Sequence, residues 1–270
     1  MPANREKLKV KEKYGLVYSA FFPVASEPSG SHPVYGEEID LGAAVRAYLT
    51  ITYATAQAYG DDRAQLDVKE FVSAQLDAET LLSDLEVDAA LFGSKYADGT
   101  ATDSIYDTAK PGGYAYIQKL KLRSGGTVYR AVFLYYATPS LNADNADTRN
   151  ASITFMNNSI TCSVLADSTG DWRARHDCGS EAEAKEWIAG LVKATAGGAF
   201  ALNVEERSGK TVSYKASFVN SGEAGDVEFA EAPSAVYDNG ENVTASLAGT
   251  KYTIASMTED HSIVAFMPKT

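Results

Sequence analysis

The chain has 270 residues, 24 Lys+Arg against 36 Asp+Glu, a formal net charge of −12 and 45% hydrophobic residues. That is enough to bury a full core, in one large domain or in a main domain plus a small one, without disulfide staples. The acidic balance argues against ordinary nucleic-acid binding, which needs clustered cations, and these cluster only at Arg5, Lys7, Lys9, Lys11 and Lys13.

Residues 1–13 read as a charged, flexible arm. They are basic with no apolar stretch behind them, so no signal peptide is expected, and no apolar run is long enough to span a membrane. A soluble chain made in a cytoplasm follows. From 14 to 22 the apolar content rises, and Gly15, Leu16, Val17 and Tyr18 open a first strand. Pro23, Pro28, Gly30, Pro33 and Gly36 make residues 23–38 a loop, long enough to carry contacts.

Residues 43–93 organise the rest. Val45, Ala47, Leu49, Ile51 and Tyr53 share one parity against Arg46, Tyr48, Thr50 and Thr52. After Tyr59-Gly60-Asp61-Asp62 the alternation resumes, with Leu66, Val68, Val72, Ala74 and Leu76 against Gln65, Asp67, Lys69, Ser73, Gln75 and Asp77. This is the period of two half-buried strands, each about twice the modal ~5–6 residues, joined as a long hairpin. Ser83 and Glu86 form a capping box for a following helix that Gly93 ends.

Residues 95–113 read as a polar loop with an Asp98-Gly99 turn. A second hairpin spans 114–136, folded at Ser124-Gly125-Gly126, and its return strand is apolar on both faces and so central in a sheet. Turn residues fill 141–150, and 152–166 reads as a strand pair broken at Asn157-Asn158. A second capping box, Ser180 and Glu183, starts a helix over 180–194 with Ala184, Trp187, Ile188, Leu191 and Val192 on one face. Beyond Gly197-Gly198 the short alternating runs predict further β structure, a small C-terminal domain over 197–270 with an Ig-like sandwich as one form. The fold class is mainly β.

Little in the chain carries chemistry. His32, His176 and His261 lie apart without paired-ligand spacing, so they read as ordinary surface or loop histidines and no metal is expected. Asp61, Asp62 and Asp67 do not match a calcium loop, because Gly60 precedes them and no Glu follows at the required place. Phosphate-cradling and nucleophile motifs are missing, and Ser124-Gly125-Gly126 reads as a hairpin tip. The tyrosines, Tyr135-Tyr136 among them, read as core and sheet residues ahead of a stacking platform. Cys162 and Cys178 read as two reduced, buried thiols, with a single disulfide as the alternative. No catalytic residue and no cofactor are assigned, and the expectation is that the protein is not an enzyme. An acidic glycoside hydrolase would need a carboxylate pair in a cleft, which a sequence does not display.

In order, the Tyr14-Gly15-Leu16 strand, Tyr59-Gly60-Asp61-Asp62 between long strands, Leu91-Phe92-Gly93 with Asp98-Gly99, the strand over 129–136 and the helix with Ala184 and Trp187 resemble the major tail proteins, or tail tube proteins, of phages with long non-contractile tails. The resemblance covers residues 10–195, with Gly60 and Asp62 where many members carry Ala and Asn. It implies a tail-tube-type β-sandwich over 14–196 with flanking helices, assembling as hexameric rings stacked into a tube. DNA passes through the lumen without specific binding. It further implies tape-measure, tail-terminator and baseplate proteins as partners, and a place in the virion tail after synthesis in the host bacterial cytoplasm. On this reading Thr50, Thr52, Gln65, Asp67, Lys69, Ser73 and Gln75 are the lumen face. Arg5, Lys7, Lys9, Lys11, Lys13, Pro28, Tyr35, Asp61 and Asp62 are inter-subunit contacts. The alternative is a monomeric β-rich binding module or adhesin.

Overall fold

The computed structural model describes residues 11–60, 63–81, 84–122, 125–141, 157–208 and 211–268. The protein is mainly β, and the chain divides into two compact units, Met1–Lys185 and Glu186–Thr270. That division falls at Glu186, inside the second helix and ahead of the Gly197-Gly198 boundary read from the sequence.

Among the described residues, nine strands of the larger unit form one sheet. Its strands are β1 (Lys11–Ser26), β2 (Val34–Tyr35), β3 (Ile39–Asp40), β4 (Ala44–Gly60), β5 (Arg63–Thr80), then, after the helix α1 (Leu85–Phe92) and the small hairpin β6 (Lys95–Ala97) and β7 (Thr100–Thr102), β8 (Gly112–Leu122), β9 (Thr127–Leu141), β10 (Asn158–Leu165) and β11 (Arg173–Cys178). The order is β2-β1-β8-β9-β10-β5-β4, with β3 added to β1 and β11 to β9. All pairings are antiparallel. β1, next to one end of this order, approaches β4 at the other, so the sheet rolls up on itself.

The roll encloses one core, with Phe21, Leu41, Leu76, Leu91, Tyr114, Val132, Leu134, Ile160 and Cys162 buried in it. The run Ala131, Val132, Phe133, Leu134 and Tyr135 of β9 is buried on both parities, as its apolar sequence requires of a central strand. Phe133 packs edge-on against Tyr35 at 5.3 Å on the face opposite Val132. Both cysteines are free and buried, which removes the disulfide alternative.

Lys11 and Lys13 do not belong to an arm: β1 begins at Lys11 and pairs with β8 through Lys11↔Leu122 and Lys13↔Leu120. Side-chain hydrogen bonding sets the start of α1 at Asp84, which accepts from the Glu86 N–H at 2.9 Å, one residue after the Ser83 read from the sequence. Gly93 closes that helix in the left-handed region (φ 82°), where a Cβ would lie 2.5 Å from the Thr108 carbonyl oxygen.

The helix α2 (Glu181–Thr195) carries residues of both units. Its cap is reciprocal, since Ser180 Oγ accepts from the Glu183 N–H at 3.2 Å and Glu183 accepts from the Gly179 N–H at 2.8 Å. In the smaller unit β12 (Ala199–Ser208), β13 (Thr211–Asn220), β15 (Ala235–Asp238), β16 (Glu241–Asn242) and β18 (His261–Phe266) form a sheet ordered β13-β12-β18-β15-β16, and β14 (Gly225–Glu228) pairs with β17 (Lys251–Ile254). Leu202, Val204, Val236 and Ile263 from the first sheet meet Val227, Tyr252 and Ile254 from the second in a core of their own. The β12–β18 pair is parallel, whereas an Ig-type sandwich is built of antiparallel sheets.

Candidate assembly surface

The hairpin β4–β5 has 17 and 18 residues in its two strands. Its first half is well supported, because β10 pairs with β5 from Ala74 to Thr80. Beyond that, Tyr53 to Gly60 and Arg63 to Phe71 pair only with each other among the described residues, so a two-stranded ribbon runs out from the sheet. A lone ribbon is marginal in water. Phe71 secures its base by stacking on Trp172 at 4.5 Å and 7°.

The pairing register skips at three places, and the second of them, between Thr52 and Tyr53, decides the faces. Thr52 lies opposite Ser73 while Tyr53 lies opposite Phe71, so Val72 is an extra residue, a β-bulge. Val72 therefore turns out to 51% exposure and Phe71 turns in, the reverse of the parity read from the sequence. The bulge also splits the expected polar face. Exposed Thr50 and Thr52 share a face with Ser73 and Gln75, and Gln75 donates to Asp77 at 3.0 Å. Lys69 pairs with Thr55 across the bulge and falls on the opposite face, with Phe71. Of Gln65 and Asp67 the backbone path alone is described. Arg5, Lys7, Lys9, Asp61 and Asp62 lie outside the described residues.

Edges decide what such a surface can do. An open strand edge offers unpaired N–H and C=O groups to any passing strand, and monomers blunt it with charges, prolines, bulges or short edge strands. Most edges here are blunted. β1 carries Lys13 and register skips at Tyr14 and Tyr18, and it is bordered by the two-residue strands β2 and β3. β13 has Lys215 in mid-strand, and β16 has two residues. β4 is the exception: from Ala47 to Gly60 it has neither a charged residue nor a proline, and among the described residues its outer edge pairs with no strand.

Pro28 sits in the loop after β1, where its carbonyl accepts from Ser168 Oγ at 3.3 Å. Tyr35 does not fit its expected contact role. It is 7% exposed, its hydroxyl donates to the Tyr135 carbonyl at 2.8 Å, and burial drives its pKa far up. His32 and His261 are likewise not loose surface residues. His32 Nδ1 lies 2.6 Å from Asp167 Oδ2, with the ring stacked on Tyr135 at 4.3 Å. His261 Nδ1 lies 2.8 Å from Asp238 Oδ2, which also accepts from the Tyr252 hydroxyl at 2.9 Å. Each ties a carboxylate to a neighbouring segment. No three His, Cys, Asp or Glu side chains among the described residues converge as metal ligands. No helix among them is long and apolar enough to cross a membrane.

Two surface features were not read from the sequence. Ile105 and Tyr106 stand 91% and 85% exposed on the loop before β8, visible in retrospect as an apolar pair within Asp-Ser-Ile-Tyr-Asp. The strand β11 was missed because its Arg-Ala-Arg-His-Asp run is charged. It places Arg173 and Arg175 opposite Leu134 and Val132, on one face beside Trp172. Compared with models of known families and with curated proteins, the chain matches none.

Proposed function

We propose that this protein is a structural subunit that assembles with copies of itself, edge to edge along β4, into rings that stack as the tail tube of a phage. The single observation that carries the reading is the uncharged, proline-free edge of β4 on a ribbon extending past its own sheet. A partner strand satisfies that edge, and closing a ring removes it altogether. The outward face with Thr50, Thr52, Ser73, Gln75, Asp77 and Glu70 is neutral to acidic, a lining that DNA would pass without adhering. Tape-measure, terminator and baseplate proteins are the partners this role calls for.

Negative-stain electron microscopy across a concentration series tests it, with Ala54→Lys/Ala56→Lys as the comparison. Both positions are exposed, so the fold should tolerate lysine within about 0.5 kcal/mol while rings disappear. Single particles from the unmodified protein at every concentration would sink the assembly reading.

A second reading, a β-rich binding module, is favoured by the outer face of the smaller unit's sheet. There Tyr214 is 71% exposed, and the Arg207 guanidinium, paired with Glu205, lies 5.5 Å from the centre of the Phe266 ring.

A further inference from the structure

We propose that the Ile105–Tyr106 knob of one copy seats on the Trp172–Arg173–Arg175 surface of another. This rests on the assembly reading and names a second contact that β4 does not supply.

The knob is held rigid by its own turn. The Ser104 N–H donates to Asp107 Oδ2 at 2.6 Å, the Asp107 N–H to the Ser104 carbonyl at 3.0 Å, and the Tyr106 N–H to Ser104 Oγ at 3.3 Å. Ser94 Oγ holds Asp103 at 2.6 Å. Two large apolar side chains are thereby presented to water between two carboxylates, an arrangement that costs free energy unless something covers it. Neither Asp103 nor Asp107 has a cationic partner among the described residues.

The receiving surface has the complementary chemistry. Trp172 is fixed against Phe71, and the Arg173 guanidinium lies 4.3 Å from the centre of its ring. Arg130 on β9 is answered by Asp177 through two hydrogen bonds of 2.6 and 3.0 Å. Among the described residues, by contrast, no carboxylate pairs with Arg173 or Arg175. Burial and the neighbouring Arg175 both press Arg173 toward losing its proton, so this is a site short of negative charge in a chain of net −12.

A second copy is favoured over a nucleic acid for two reasons. A polyanion's binding needs many clustered cations, whereas here Arg130 is already answered by Asp177 and only Arg173 and Arg175 remain. The knob offers two carboxylates together with apolar side chains for the Trp172 surface, which a phosphate backbone does not. Knob and receiver are different patches, so the contact is head-to-tail, the kind that closes rings or extends filaments.

The test uses the full chain. Ile105→Ala/Tyr106→Ala on one side and Arg175→Glu on the other should each raise the concentration needed for assembly about tenfold or more, with the melting profile unchanged. A mixture of Tyr106→Cys and Arg175→Cys chains should form a disulfide-linked pair that neither gives alone, the native thiols being buried. Normal assembly of these variants, with no cross-link in the mixture, would overturn the knob contact and leave the β4 reading standing. A cross-link without rings from the unmodified protein would uphold the contact and overturn the tube. Binding of a duplex DNA oligonucleotide that Arg173→Glu/Arg175→Glu abolishes, with assembly intact, would assign the surface to a polyanion and overturn the proposal.

Discussion

Asp167 has a side chain closed off from solvent, and His32 and Thr169 both hydrogen-bond to it, Thr169 through Oγ1 at 2.6 Å. Burial pulls its pKa up, but the bonds from His32 and Thr169 win and hold it below the ordinary 3.8. A depressed carboxylate contributes stability that is complete above its unfolded value and is lost as pH falls through the folded one. Asp167→Asn should therefore cost about 1–3 kcal/mol at pH 7, and the gap from the unmodified protein should shrink below pH 3.8. Urea titrations at pH 7 and pH 3 measure this, and an equal gap at both would refute it. The thiols make a parallel case: burial pushes Cys162 up to about 12 and Cys178 up to about 11. At pH 8 a thiol reagent should label neither in the native protein and both in denaturant.

At the scale of elements, the hairpin was legible because alternation is a local property: Ala47, Leu49 and Ile51 face the core as their parity requires. The Val72 bulge was not legible, because which residue goes unpaired is settled by the facing strand, and one extra residue exchanges every face beyond it. That is why Lys69 left the expected polar face. Capping boxes placed both helices to within a residue or two, since the signal lies in four consecutive positions. β11 was lost for the opposite reason, its strand character coming from β9 beside it and not from its own apolar content. The uncharged edge of β4 could be read directly, yet nothing in the chain says which strands are edges. Only the sheet order does, and the lysine variants at Ala54 and Ala56 test what that order exposes.

For the molecule as a whole, the two units have separate cores, and the smaller draws its core from its own strands β12, β14, β15, β17 and β18. A chain of residues 179–268, keeping both hydrogen bonds of the α2 cap, should fold alone. Circular dichroism should show β structure and one cooperative thermal transition, where a gradual change would mean that the core is incomplete. Truncation also separates the surfaces proposed for assembly, which lie on the larger unit, from the exposed aromatic face around Tyr214.

The hairpin and its neighbour are made at different times. β4 and β5 lie next to each other in sequence, but β5 waits for β10, which begins at Asn158. At about 5–20 residues per second of synthesis, the finished hairpin stands for several seconds with both edges bare. Nascent chains translated side by side meet during that interval, when pairing between them competes with pairing within each. The arrival of β10 closes one edge of each hairpin, and among the described residues no strand closes the edge along β4.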